Sequence, residues 1–218
     1  MVLLDDFSTG TGNFTETSGA ATTATVNAGR LELSGFGATI NRWIYNTPAA
    51  GADHAVDALI QSQSNNNNSE MGLIVRRADD NNYVYARIDG QGRAQMYNVT
   101  AGTASRVGSL ILFEVDVATT AQTMTLTVAG DSFTVSCAGQ SSTQTITDTS
   151  GLGVGIWMRT RFNVGSWVDD FGGTNIGGGP PARVQGAAIG DTLIDGIALG
   201  DTVMAGMAIG DTVIWEAT

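Results

Sequence analysis

The 218-residue chain predicts an almost all-β protein, and three observations carry that expectation. Gly is abundant at 29 residues, and Ser, Thr, Asn and Val recur between short apolar runs, which favours strands and tight turns over helices. Apolar and polar residues alternate with period two in several of those runs. The chain ends on "GAAIGDTLIDGIALGDTVMAGMAIGDTVIWEAT", a ten-residue unit written three times without a gap, and a short strict repeat is a structural signal before it is a chemical one.

Strands are expected at "RLELSG", "HAVDALIQ" and "MGLIVRR", then at "ILFEVDV", "TMTLTVAG", "SFTVSC", "LGVGIWMRTRF" and "GSWVDDFGG". The clearest stretch is "NNYVYARIDGQGRAQMYNV": Val84, Ala86 and Ile88 alternate with Tyr83, Tyr85 and Arg87, Asp89 to Gly92 make a turn, and "RAQMYNV" returns. That is a hairpin with one core face and one aromatic and basic face. The run "SQSNNNNSE" from Ser62 to Glu70 reads as a solvated loop tip between two strands. Residues 1–172 form the sandwich. Residues 173–185, rich in Gly and carrying Pro180 and Pro181, are a linker, and 186–218 hold the repeats.

The formal charge is −11, and all ten basic residues are Arg. An acidic surface repels phosphate backbones, so nucleic acid is excluded as an expected partner. No segment approaches the roughly 20 apolar residues of a membrane span, and the N-terminus lacks the charged and apolar regions of a signal peptide. Cys137 is the single cysteine, so no intrachain disulfide forms, and its place in "DSFTVSCAG" reads as packing rather than nucleophile. His54, the one histidine, has no second His or Cys nearby in sequence to seed a zinc site or a triad.

The ordered set "LLDDFSTGTGNF", "GLIVRRADDNNYVYARIDGQG", "LTVAGDSFTV" and "GLGVGIWMRTRFNVGSWVDDFGG" resembles the concanavalin A-like lectin/glucanase superfamily, in its LamG-like or laminarinase-like branch. The resemblance implies an antiparallel jelly-roll β-sandwich over roughly the first 170 residues, and the decapeptide units add a short C-terminal β-repeat module. It implies that the first and last strands lie side by side, which fits the "DDF" written at both Asp5-Asp6-Phe7 and Asp169-Asp170-Phe171. Carboxylates at Asp5, Asp6, Asp169 and Asp170 then stand where related sandwiches hold a structural calcium ion. The other reading is that they cap turns, with Phe7 and Phe171 in the core. No cofactor is required on either reading.

Glucanases of the superfamily carry Glu-x-Asp-x-x-Glu, because two carboxylates about 5 Å apart must share nucleophilic and acid work. "FEVDVATT" offers Glu114 and Asp116, but the second Glu is missing and Ala118 and Thr119 stand in its place. The chain is therefore expected not to be an enzyme. Binding is the better expectation: Tyr83, Tyr85 and Arg87 share a face by alternation, Tyr97 joins them if the hairpin register holds, and Trp157, Arg159 and Arg161 share the outward face of "GIWMRTRF". Aromatic rings and guanidinium groups together suit an anionic surface polysaccharide. They equally suit a protein interface.

Each terminal repeat supplies two short strands around Gly-Asp, with Ile189 on the same face as Thr192 and Ile194. Both faces of such a meander are largely apolar, so Ile189, Leu199, Ile209 and Trp215 are expected to bury themselves in a partner. Endings of the form "IGDTVIW" resemble those of tail and fibre proteins of tailed bacteriophages and gene transfer agents. The partner is then two more copies of the chain, another virion protein, or the chain's own jelly roll. The two resemblances together imply a virion surface protein, such as a tail fibre, spike or minor tail protein, made in the host cytoplasm, homotrimeric, and attaching to host glycan. A decoration or cement protein that binds no sugar is the alternative.

Overall fold

The structure is a computed structural model. It describes residues 1–17, 23–34, 40–62, 64, 69–147, 149–160, 165–175, 187–189, 192–194, 207–209 and 212–215. The chain divides into two compact units, Met1–Gly177 and Gly178–Thr218.

The first unit is a sandwich of two antiparallel sheets. One sheet runs β13 (Gln140–Thr145), β12 (Ser132–Cys137), β11 (Gln122–Ala129), β6 (His54–Ser62), β15 (Ser166–Thr174), β4 (Arg30–Ser34), β3 (Thr23–Asn27), and β1 (Val2–Asp5) pairs with the second half of β15. The other runs β10 (Thr103–Leu112), β9 (Arg93–Thr100), β8 (Asn82–Asp89), β7 (Ser69–Asp79), β14 (Gly153–Thr160), β5 (Ile40–Tyr45), β2 (Phe14–Glu16). The crossovers between sheets are those of a jelly roll, as the fold reading expected.

Period-two alternation places the core. Val56, Ala58 and Ile60 of β6 face Leu73, Val84, Ala86 and Ile88 of the other sheet, and all seven are fully buried in one apolar cluster. Phe7 and Phe171 are fully buried beside Phe14, whose ring centroid lies 5.4 Å from Phe7 and 5.3 Å from Phe171. The two "DDF" segments do meet, with Asp5 opposite Phe171 in the β1–β15 ladder. Cys137 is buried in the same core, and burial pushes its thiol up to about 11, so it packs rather than reacts. His54 is also buried; its Nδ1 lies 3.1 Å from the Gly51 carbonyl oxygen, and burial lowers its pKa.

The hairpin of β8 and β9 folds as its sequence expects, with Tyr85 opposite Tyr97 and Arg87 opposite Gln95. Asp89 Oδ1 accepts from Gln91 N at 2.9 Å and Arg93 N at 3.1 Å, and Gly92 takes φ +74°, which closes the turn. One expected strand differs. β10 stops at Leu112, and residues 113–116 turn away: Val115 N donates to Phe113 O, and Asp116 Oδ1 accepts from Ala118 N and Thr119 N. Phe113 and Val117 anchor this turn in the core, and that local bonding outcompetes the ladder. Strands β2, β3, β5 and β13 carried too little apolar alternation to be read. β15 reaches Thr174, so Gly173 and Thr174, expected in the linker, belong to a strand.

In the second unit, β16 (Ala187–Ile189) pairs β17 (Thr192–Ile194), with Ile189 opposite Thr192. β18 (Met207–Ile209) pairs β19 (Thr212–Trp215), with Ile209 opposite Thr212. In the first and third repeats the described strands thus pair in the register that a two-residue turn was expected to give, with a shift between Met207 and Ala208 in the third. Leu199 and the middle repeat lie outside the described residues.

Two strand contacts are so close that they require glycine. A Cβ on Gly155 would fall onto the Trp43 carbonyl oxygen, and one on Gly72 onto the Ala86 carbonyl oxygen. Gly155→Ala is expected to lower stability by about 1–3 kcal/mol in urea unfolding, since the β5–β14 ladder must open to admit the methyl. Gly12→Ala, which meets no atom within 4 Å, is expected to change it by no more than about 0.5 kcal/mol.

Candidate functional site

Residues that alternate away from the core on β5, β7, β8, β9 and β14 form one outer face of the second sheet. The ladders bring Tyr83, Tyr85, Arg87, Tyr97, Trp157 and Arg159 onto it, as the sequence expected. Arg161 lies outside the described residues.

The rings stack in a row. Tyr97 and Tyr85 are parallel at 4.9 Å, and Tyr85 and Trp157 are parallel at 5.0 Å, while Tyr83 tilts against Tyr85 at 5.8 Å. Ile44, Ile74 and Val99 join them in a second apolar cluster, separate from the core. Each stacked pair contributes about 0.5–1.5 kcal/mol beyond burial. The row is consequently closed: Tyr85 is 5% exposed and Trp157 only 1%. These two rings are not open platforms for a sugar, because their faces are already spent on each other.

What reaches solvent is polar. Glu70 of β7 is 5% exposed, and its carboxylate is bridged by the guanidinium groups of Arg87 and Arg159 from the strands on either side. Those arginine side chains keep 17% and 18% of their surface. Arg87 Nη2 donates to Gln95 Oε1 at 2.9 Å and to Tyr97 Oη at 2.8 Å, and Tyr97 Oη donates to Gln95 Oε1 at 2.5 Å. Its guanidinium carbon lies 5.1 Å from the Tyr97 centroid and 5.9 Å from that of Trp157, and Arg159 lies 5.8 Å from Trp157. Burial alone would lower the Arg87 pKa; the Glu70 carboxylate and the Tyr97 hydroxyl outweigh it, and the net shift is upward. Burial pushes the Tyr85 phenol up, so it stays protonated. Arg42 of β5 extends the basic rim, donating to Tyr83 Oη at 3.1 Å.

The Glu70 bridge thus holds two fixed guanidinium groups for one carboxylate, and Asp89, opposite Glu70, is paired with Arg93, which leaves a local positive excess on a chain of net charge −11. Planar forks with both charge and direction suit carboxylate or sulfate groups. Glu70, Gln95 and Arg42 escaped sequence reasoning. Glu70 alternates with Gly72 and Ile74 on β7, so no polar stripe marks the outer face, and only cross-strand register puts it between two arginines.

The carboxylates expected to hold calcium are otherwise engaged. Asp5 Oδ1 accepts from Phe7 N at 2.6 Å and Oδ2 from Asn13 Nδ2 at 2.9 Å. Asp6 Oδ1 accepts from Ser8 N at 2.9 Å, and Asp169 accepts from Asp170 N at 2.9 Å and pairs with Arg30 at 3.6 Å. Among the described residues, no group of three or more His, Cys, Asp or Glu side chains is placed to hold a metal ion. Asp5, Asp6 and Asp169 are thus taken up by local partners, and the four aspartates do not assemble a calcium site among the described residues. Glu114 lies exposed on the 113–116 turn, not on a strand, with its amide 3.4 Å from Gln140 Oε1.

No protein-family model matches the chain, and no curated protein matches it. Solved structures similar to it include a carbohydrate-binding module from Bacillus subtilis, at TM-score 0.58 and 15% identity over 74% of this chain and 96% of that one. The exoplasmic/lumenal domain of VIP36 in a Ca2+/Man3GlcNAc-bound form is similar at TM-score 0.60 and 9% identity, over 80% and 87%. A Bacillus licheniformis β-glucanase is similar at TM-score 0.53 and 10% identity, over 77% and 94%. At these identities the likeness is one of fold, and the fold is the jelly-roll sandwich of lectins and glucanases.

Proposed function

We propose that the sandwich is a non-catalytic glycan-binding domain that recognises an acidic polysaccharide on its outer face, through Arg87 and Arg159 held by Glu70, with Gln95 and Tyr97 beside them. The observation that carries this reading is the Arg87–Glu70–Arg159 bridge. It leaves a net positive, hydrogen-bonding surface on an acidic chain, where recognition runs through guanidinium forks and hydroxyl partners instead of ring stacking. The similar sandwiches that carry sugar-binding names support it. The displaced Glu114 supports a binding role over hydrolysis. We further propose that the chain is a surface protein of a tailed-bacteriophage-type particle, a fibre, spike or minor tail protein that touches host glycan, with the repeats as its trimerisation or docking module. That part rests on the three decapeptide repeats and the resemblance of their ending.

Arg87→Ala is expected to weaken binding to an immobilised acidic polysaccharide by tenfold or more, since charge-assisted hydrogen bonds are worth about 1.5–3 kcal/mol each. Binding by biolayer interferometry, with the fold checked by thermal melting, measures it. Unchanged binding would remove the proposed face.

The second reading, a decoration or cement protein without sugar binding, is favoured by one specific observation. Met1, just before the first strand, and Val2 and Leu3 on it are 58%, 53% and 55% exposed, and Leu112 is 66% exposed at the end of an edge strand. Light scattering after size exclusion separates the readings. The fibre or spike reading expects the full chain to be a trimer and a chain ending at Gly179 to be a monomer. Two monomers would mean that the repeats await a different protein and would favour decoration.

A further inference from the structure

We propose that Arg106 is a second anchor on the same face, which makes the ligand a repeating polyanion with acidic groups on successive units, not a glycan that carries one terminal acid. The inference rests on the reading above that Arg87 and Arg159 bind an acidic polysaccharide, and it names the class of polymer.

Register puts Arg106 on that face. It stands opposite Tyr97 in the β9–β10 ladder, and Tyr97 stands opposite Tyr85 in the β8–β9 ladder. Directly paired residues of an antiparallel sheet point to the same side. Val107, the next residue, packs against the core cluster, so alternation turns Arg106 outward. The row of rings from Trp157 through Tyr85 therefore ends at Tyr97, and the position that continues it on β10 is a guanidinium side chain.

This arginine is also the free one. Arg161 and Arg183 lie outside the described residues, and of the other eight, seven have a carboxylate or backbone carbonyl partner. Arg106 is exposed and has no ion pair, hydrogen bond or ring contact among the described residues. Neither β9 nor β10 contains an Asp or Glu, so no carboxylate on its own strand or its neighbour neutralises it. Arg93, at the start of β9, differs in this respect, since Asp89 holds it at 2.7 Å. Water solvates Arg106, and its charge stays available to an incoming anion.

Spacing then selects the ligand. Arg106 lies level with Tyr97, Tyr85 and Ile74, and Ile74 is four residues along β7 from Glu70. Three strand spacings across and four residues along put the Arg106 backbone about 19 Å from that of Glu70, the centre of the arginine bridge. One acidic group does not close that gap even with Arg106 extended. The contact at Arg106 falls to a second acidic group, on another sugar unit.

The test titrates hyaluronan disaccharide and hexasaccharide, which carry one and three carboxylates, calorimetrically into the full chain at low salt. A hexasaccharide can seat any of its three carboxylates on the bridge, which alone raises affinity about threefold. An exposed ion pair adds up to about fivefold, so the wild type is expected to gain about tenfold or more. Arg106→Ala is expected to cut the gain to about threefold, Arg106→Glu to cut it further, and Arg106→Lys to keep most of it. Raising salt is expected to shrink the wild-type gain towards threefold, because exposed charges are screened. A charge on an edge strand also discourages pairing with other sheets, but that role leaves the dependence on chain length unmoved. Disaccharide binding lost in Arg87→Ala, together with a wild-type gain of only threefold or the same gain in Arg106→Ala and Arg106→Glu as in the wild type, would overturn the anchor and leave the arginine bridge standing. Disaccharide binding indifferent to Arg87→Ala, or no binding of either oligomer at millimolar concentration, would overturn the face and the anchor with it.

Discussion

Glu70 is 5% exposed on the outer side of a sheet, and a carboxylate taken that far from water has to be met by cations at contact distance or give up its charge. Arg87 and Arg159 meet it from the two neighbouring strands. That single requirement fixes the conformation of two long side chains whose free entropy would otherwise keep them moving. It also brings their guanidinium groups within 6 Å of the aromatic row, where Tyr97 and Trp157 hold their flat sides. The surface is thereby built before any ligand arrives. Preorganisation of this kind removes an ordering cost from binding.

The same requirement explains why the rings are closed to solvent. Tyr85 and Trp157 stack on each other below the arginine heads, with the glycine contacts at Gly72 and Gly155 letting the strands approach. The rings form a packed floor beneath the arginine heads. An acidic ligand would then be chosen by charge and fork geometry, and a neutral polysaccharide would find little to stack upon.

Much of this was legible in the sequence. Alternation along "YVYARI" separates Val84, Ala86 and Ile88 from Tyr83, Tyr85 and Arg87, and both sets fall where that pattern puts them. Repetition of "IGDT" at fixed spacing gave the hairpin register of Ile189 and Ile209. Glu70 was not legible, because its significance lies in register across three strands, and one-strand patterns carry no register. The exposure of Tyr85 and Trp157 was not legible either, since stacking depends on rotamers and neighbours from different strands. "ILFEVDV" has strand composition, yet an Asp116 side-chain turn ends the ladder at Leu112. Asp5 and Asp6 read equally as ligands or caps until their partners, Phe7 N, Asn13 and Ser8 N, were placed.

The central claim is that Glu70 positions the two arginines for an acidic glycan, and Glu70→Gln tests it because two accounts predict opposite signs. Simple electrostatics predicts tighter binding of an acidic polysaccharide, since the variant removes a negative charge from the face. Positioning predicts weaker binding, by about threefold or more, because an amide can hold one guanidinium but cannot bridge two. Affinity of wild type and Glu70→Gln for the same acidic polysaccharide at low salt, both shown folded by melting, is the measurement. Weaker binding in the variant is the predicted result. Equal or tighter binding would contradict the account.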